Sequence, residues 1–183
     1  MQPLDASALG EAYQQQLTTQ DYTPTKPIDG VEILQLRQMS DDGGDFMELA
    51  QLTPQGELRA KPGMHVSQVN YSRVLPGAIK AFHLHFNQED VWFVPPLDRL
   101  LVGLVDVRQG SPTYQQRMRF VLGSGQTRMV YIPRGVAHGA ANPWQQPAQL
   151  MYFVNQLFSL DQPDERRLPW DVCGADFWSI AKG

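Results

Sequence analysis

From Val31 onward the chain is cut into short apolar segments by clusters of Gly, Pro and Asp. The segments are Val31–Leu36, Phe46–Leu52, Ser67–Val74, Val91–Val94, Leu100–Val107, Met129–Ile132 and Leu150–Val154. Between them lie turn signals: Asp42-Gly43-Gly44, Pro54-Gln55-Gly56, Leu75-Pro76-Gly77, Gln109-Gly110-Ser111-Pro112 and Leu122-Gly123-Ser124-Gly125. Runs this short, ended this often, suit strands rather than helices, and many strands in succession can hide their apolar faces only in a sandwich or closed barrel. The sequence therefore predicts an all-β, antiparallel jelly-roll barrel over residues 28–158. Leu4, Ala8, Leu9, Ala12, Tyr13 and Leu17 recur at helical spacing after a possible cap at Asp5 or Ser7, predicting one short helix within an N-terminal arm, residues 1–27. The C-terminal segment, 159–183, is expected to hold a short helix around Asp161–Arg167 and to pack Trp170, Phe177 and Trp178 on the barrel.

Charge and cysteine usage narrow the partners. A net charge of −4 with no Lys/Arg cluster argues against nucleic acid or a membrane surface, since neither polyanion would be attracted. The single cysteine, Cys173, excludes an internal disulfide, and the first residues show no basic-then-apolar leader, so the cytoplasm is the expected address. With 183 residues the chain suits one domain that buries roughly 70% of its unfolded surface.

Two stretches concentrate chemistry: Gly77–Glu89, carrying His83, His85 and Glu89, and Pro133–Asn142, carrying His138. His83 and His85 alternate on an expected strand and so share one face. The turn at Pro133-Arg134-Gly135 can aim His138 back at them. Three imidazoles and a carboxylate suit a divalent transition metal with positions left open for substrate, and the spacing resembles the paired motifs of metal-binding cupins. The alternative ligand set is thus His83, His85, Glu89 and His138. The plain structural alternative has His85 and Glu89 in ordinary hydrogen bonds at the barrel mouth.

A longer resemblance covers Val31 to Asp171. Gln68-Val69-Asn70-Tyr71-Ser72-Arg73-Val74-Leu75-Pro76-Gly77-Ala78-Ile79-Lys80-Ala81-Phe82-His83 is similar, without a gap, to the sequence around the catalytic histidine of the dTDP-4-dehydrorhamnose 3,5-epimerase family. Asp41–Glu48, Val105–Thr113, Ile132–Gly139, Tyr152 and Asp164-Glu165-Arg166 follow in the family order. The resemblance implies a cofactor-free, metal-free branch of the cupins, a homodimer, and proton abstraction beside the ketone of a nucleotide-linked 4-keto-6-deoxy sugar. It implies His83 as base and Tyr152 as the acid on the opposite face. Gln68, Asn70, Lys80, Gln88 and His138 would contact substrate. A carboxylate should orient the His83 ring; Asp171 is the candidate and Asp176 the alternative.

Departures from the family fall at its cations. By placement after Gln88, Asp90 stands where the enolate-stabilising lysine is expected, and Gly43 stands where an arginine is expected. Lys80 replaces an arginine, and Phe158 a second tyrosine. A carboxylate at position 90 would repel a developing oxyanion, so a sugar-binding cupin without catalysis is a further alternative. Trp92, Phe93 and Phe86 are expected in the core or a dimer interface. Asp106 and Arg108 are expected to form a structural ion pair, and His65 has no evident partner.

Overall fold

The computed structural model describes residues 3–21, 23 and 26–180. Twelve strands account for nearly all its regular structure: β1 (Glu32–Gln35), β2 (Gln38–Asp41), β3 (Gly44–Met47), β4 (Gln68–Val74), β5 (Ile79–Leu84), β6 (Asp90–Phe93), β7 (Arg99–Asp106), β8 (Arg117–Gly123), β9 (Arg128–Ile132), β10 (Val136–Ala141), β11 (Ala148–Val154) and β12 (Arg166–Arg167). One five-stranded sheet runs β1-β9-β6-β11-β4, the other β12-β5-β10-β7-β8, and β2-β3 form a separate hairpin. The pairings are antiparallel throughout. This is the all-β jelly roll expected from the punctuated sequence.

Period-two alternation sorts side chains into three apolar layers. Between the sheets lie Trp92, Leu100, Val102, Leu104, Val130, Ile132, Val136, Ala140 and Leu150. The outer face of the first sheet carries Val91, Phe93, Met129, Tyr131 and Phe153 beneath Leu58 and Met64. The outer face of the second carries Phe82, Leu84, Leu101, Ala137 and Ala141, roofed by Cys173 and Trp178. Burying each of the larger aliphatic side chains contributes about 1.5–3 kcal/mol, so both faces of each sheet hold the fold together. The roof sits directly on backbone: a Cβ at Gly103 would come within 2.4 Å of the Phe177 ring and 2.5 Å of Trp178. Trp178 is buried and its Nε1 donates to the Trp170 carbonyl at 2.8 Å, whereas the Trp170 side chain stays exposed.

Several local expectations are corrected. The N-terminal periodicity yields a 3-10 turn at Ala6–Ala8 and one helical turn, α1 (Glu11–Gln14), with no buried residue in either. Nothing among the described residues packs on their apolar face, and helices this short are marginal without packing. The outermost residues of the expected arm and C-terminal segment (1–2, 22, 24–25 and 181–183) lie outside the described residues. No helix forms at Asp161–Arg167; Arg166 and Arg167 instead pair with Leu84 and His83 as an edge strand, with Pro163 and Pro169 flanking a stretch too constrained to coil. The expected strand Phe46–Leu52 is displaced, because the turn at Asp42-Gly43 folds β3 back on β2. Phe86 is exposed rather than in the core. Strands β5, β8 and β10 complete the second sheet.

Candidate active site

A cavity of about 580 Å3 opens at one end of the barrel between the two sheets. Strand β5 brings Lys80 and His83 to it, with His85 just past the strand's end, although residues 80 and 83 have opposite parity. A bulge reconciles them. On β10, His138 pairs with His83 and Ala140 with Lys80, so Ala81 and Phe82 together oppose the single residue Gly139. The close approach requires glycine: a Cβ at position 139 would lie 2.2 Å from the Ala81 Cβ. The first sheet supplies the opposite wall. Asn70, Tyr152 and Trp92 stand in cross-strand register on β4, β11 and β6 and line the same cavity.

His83 is half-buried beside His138, with ring centroids 6.1 Å apart. Burial, aided by His138, pushes its pKa down to about 4, while Glu165 opposes the shift, so the ring is neutral and able to accept a proton near neutral pH. Tyr152 shifts the other way: burial and the Asp90 and Glu165 charges raise its pKa, which keeps the phenol protonated. A neutral imidazole and a protonated phenol on facing walls can move protons at opposite faces of one bound carbon.

Deeper in the cup a second cluster forms. His138 Nε2 lies 3.0 Å from Asp90 Oδ2, and His85 Nε2 lies 3.8 Å from the same oxygen. All three residues are buried, with exposures of 7% for His85, 3% for Asp90 and 2% for His138. Because carbonyl oxygens only accept, both ring Nδ1 atoms must donate: His138 Nδ1 to Val136 O and His85 Nδ1 to Asp164 O, each at 2.9 Å. Gln88 Nε2 donates to Asp90 Oδ1 at 2.8 Å and lies 3.3 Å from His85 Nε2. Burial pushes the Asp90 carboxyl up, but the His138 and His85 rings and the Gln88 amide outweigh it and hold the carboxyl below its usual range. Asp164 fixes the loop between β5 and β6, its carboxylate accepting the backbone N–H groups of Phe86, Asn87 and Gln88 at 3.2, 2.8 and 2.8 Å.

Most of the sequence candidates converge on this cup. His83, His85, His138, Tyr152, Gln68, Asn70, Lys80 and Gln88 all line it. Gln68 Nε2 donates to Asn70 Oδ1 at 2.6 Å, and Lys80 Nζ to Ser72 Oγ at 3.1 Å. Glu89 does not converge: it turns to the outer layer, where its Oε1 pairs with Arg134 Nη2 at 3.1 Å and its charge helps burial raise Tyr131 to about 12. The carboxylate beside the histidines is Asp90, the first residue of β6, because the loop from His85 shifts the parity by one. Asp171 also lies elsewhere, exposed on a turn beneath the outer roof, where its carbonyl accepts from Gly174. Asp176 sits in the short 3-10 turn Ala175–Trp178 on that same side. The carboxylate whose charge bears on His83 is Glu165, next to edge strand β12. Glu165 also pairs with Arg167 Nη2 at 2.5 Å. Asp164 and Glu165 entered the sequence reading only as part of a family-order motif, and Asp90 only as a departure at the family lysine, so the contacts these carboxylates make were not anticipated. Phe158 borders the cavity, and Gly43 lies in the β2-β3 hairpin outside it.

An antiparallel jelly roll with a polar, histidine-lined cup at one end defines a cupin-type protein. The sequence profile of the dTDP-4-dehydrorhamnose 3,5-epimerase family matches residues 25–175, and the chain belongs to that family of sugar-nucleotide epimerases. It is 38% identical over 144 residues to the spore coat polysaccharide biosynthesis protein SpsL of Bacillus subtilis, covering 79% of this chain and 91% of that one. It is 31% identical to the probable low-salt glycan biosynthesis epimerase Agl13 of Haloferax volcanii, over 79% of this chain and 89% of that one. Among solved structures, a dTDP-6-deoxy-D-glucose-3,5-epimerase of Legionella pneumophila in complex with dTDP-4-keto-L-rhamnose is similar. That chain is 25% identical with a TM-score of 0.70, over 86% of this chain and 82% of that one.

Proposed function

We propose that the protein epimerises a nucleotide-linked 4-keto-6-deoxy sugar at a carbon beside its ketone. The observation that carries this reading is the placement of His83 on β5 and Tyr152 on β11 across one cavity. His83 accepts the proton from the carbon next to the carbonyl. The C–H electron pair becomes the enolate double bond, and the carbonyl pair moves onto oxygen. Tyr152 delivers its hydroxyl proton to the opposite face, the ketone re-forms, and solvent returns the proton from the imidazolium to the phenolate. Lys80, Gln68 and Asn70, which line the same cavity, suit the polar groups of the sugar and its phosphates. The 580 Å3 volume is in the range of sites that enclose drug-sized ligands.

A homodimer fits the exposed apolar surface. Strand β4 is an edge strand showing Val69 and Tyr71 at 56% and 61% exposure, and Phe46 on the β2-β3 hairpin is 58% exposed. Sedimentation should give twice the chain mass. No described helix is long and apolar enough to cross a membrane.

The reaction is tested in deuterated water with a panel of dTDP-4-keto-6-deoxy sugars. Deuterium should enter at the carbons flanking the ketone, and His83→Asn should remove it. Absence of exchange across the whole panel with folded protein overturns the reading.

A further inference from the structure

We infer that Trp92 holds the ketone oxygen of the sugar: its indole N–H donates to that oxygen and stabilises the enolate in place of the cation missing at position 90. The inference rests on the reaction proposed above and adds to it a catalytic residue that the sequence reading assigned to the core.

The argument begins with an unanswered hydrogen. Trp92 is 4% exposed, and its Nε1 has no acceptor among the described residues. A buried indole normally finds a partner for its N–H, because losing water without a replacement is costly. Trp178 follows that rule through the Trp170 carbonyl. Trp92 differs from it in lining the cavity, so the acceptor it lacks is an oxygen that arrives with a ligand.

Position decides which oxygen. Asp90 and Trp92 share parity on β6 and both line the cup, the first where the enolate-stabilising lysine is expected. In the register of β6 with β11, Trp92 stands beside Tyr152, and Asn70 stands on the other side of Tyr152. Side chains paired in this way start roughly 5 Å apart. Tyr152 delivers its proton to the carbon next to the ketone, so the ketone oxygen is carried by a direct neighbour of that carbon. Of the two residues flanking Tyr152, Trp92 is the buried one with an open hydrogen; Asn70 is half-buried and already accepts from Gln68.

The cations of the cup are engaged elsewhere. Lys80 Nζ donates to Ser72, and Arg167 pairs with Glu165. His138 gives its Nδ1 hydrogen to the Val136 carbonyl and sets Nε2 3.0 Å from Asp90 Oδ2, a charge-assisted pair that is neutral as a whole. The pair cancels the repulsion that Asp90 alone would exert on an enolate, yet leaves no net charge to stabilise one. A preorganised neutral donor fills that need. The His138 ring stands at 90° to the indole with centroids 5.1 Å apart, so Asp90 positions the donor through His138. As the carbonyl electron pair moves onto oxygen, the hydrogen bond from Nε1 strengthens, and its hydrogen stays on nitrogen throughout.

The test follows deuterium exchange on a dTDP-4-keto-6-deoxy sugar in Trp92→Phe, which keeps an aromatic ring and removes the N–H. The variant should lose roughly 100-fold in kcat with KM little changed. Replacing Trp92 with benzothienylalanine, which has the same shape with sulfur in place of N–H, should match it and so separate the hydrogen from the packing. Nitrogen-15 NMR of the wild type reads the contact directly. Of the four indole signals, that of Trp92, assigned through its contact with the His138 ring, should move downfield when the keto sugar nucleotide is added and stay when dTDP alone is added. The Trp178 signal should stay in both cases. Should both variants fail to fold, the wild-type shift decides. Undiminished exchange in either folded variant, or a Trp92 signal indifferent to the keto sugar, overturns the inference and leaves the epimerase reading intact. A Trp92 signal that reports the same bound water before and after addition overturns it as well. Asp90→Asn should displace the signal in the free protein; a signal left in place removes Asp90 from its positioning role. Absence of exchange by folded wild type sinks the epimerase reading, and a Trp92 signal moved by the keto sugar then still supports the contact.

Discussion

Two buried aspartates, Asp106 and Asp90, sit in the same barrel with opposite surroundings. Asp106 is fully enclosed and fully answered. Its carboxylate accepts from Arg108 Nε at 2.8 Å, Arg108 Nη2 at 2.9 Å, Arg108 N at 3.1 Å, Ser111 Oγ at 2.5 Å and Thr113 Oγ1 at 2.6 Å. Asp90 is also buried, but its partners are two imidazoles, His138 Nε2 at 3.0 Å and His85 Nε2 at 3.8 Å, and the Gln88 amide. The first arrangement closes a turn, since Arg108 Nη2 also donates to the Asp29 carbonyl at 2.7 Å and ties the chain entering β1 to the loop after β7. The second closes nothing. The first aspartate is enclosed within a turn, whereas the second lies on the wall of the cavity that also holds His83 and Tyr152.

The contrast predicts that substitutions around Asp90 cost chemistry and those around Asp106 cost folding. The largest effect is expected at His83, whose replacement by Asn should lower deuterium exchange by about 100- to 10,000-fold, the range for loss of a positioned base. Its thermal midpoint should change little, because the ring makes no hydrogen bond among the described residues. A collapse in stability with exchange retained would erase the distinction. Next comes Asp106→Asn, which should lower unfolding free energy by about 3 kcal/mol in urea titrations, since it removes the charge facing the Arg108 cation and replaces one of the two acceptor oxygens with a donor amide. Loss of less than about 1 kcal/mol would mean the turn is held by other contacts.

Acid sharpens the same comparison. Burial raises the Asp106 carboxyl, but the hydrogen bonds from Arg108, Ser111 and Thr113 more than reverse it and leave it far below the ordinary 3.8. A depressed carboxyl is ionised in the folded chain while its unfolded counterpart binds a proton, so stability is full above about pH 4 and falls as the solution is made more acid. Urea midpoints measured between pH 4 and pH 2 should therefore decline in wild type, and the slope should be shallower in Asp106→Asn. Equal slopes would assign acid sensitivity to other groups.

The fold was legible because turn residues punctuate it: Asp42-Gly43, Gly77, Gly125 and Gly135 each fall between strands. Strand β8 escaped notice because Arg117 and Arg119 interrupt an apolar reading, although their alternation with Met118 and Phe120 is a strand pattern with one wet face. The Asp161–Arg167 segment was polar enough to suggest a helix, but its pairing with β5 is a tertiary fact that local propensity does not carry. Site residues within one strand, such as His83 and His85, were readable by parity. Glu89 and Asp90 were not, because the loop between β5 and β6 breaks the count and only the register of β6 with β9 and β11 decides which of them points inward. Asp171 was misplaced for the same reason: its distance from His83 depends on how the C-terminal segment wraps the outer sheet.

The smallest expected effect is the most discriminating. Asp90→Asn removes a charge from a buried site, but the new amide keeps an oxygen to accept from Gln88 and stays within reach of the neutral His138 ring. Desolvation of the anion disappears together with its contacts to the rings, so the unfolding free energy should move by less than about 1 kcal/mol in either direction. Exchange activity should fall steeply in the same variant. If the substitution instead costs as much stability as Asp106→Asn, then Asp90 is a structural ion held by His138, and the contrast between the two aspartates does not exist.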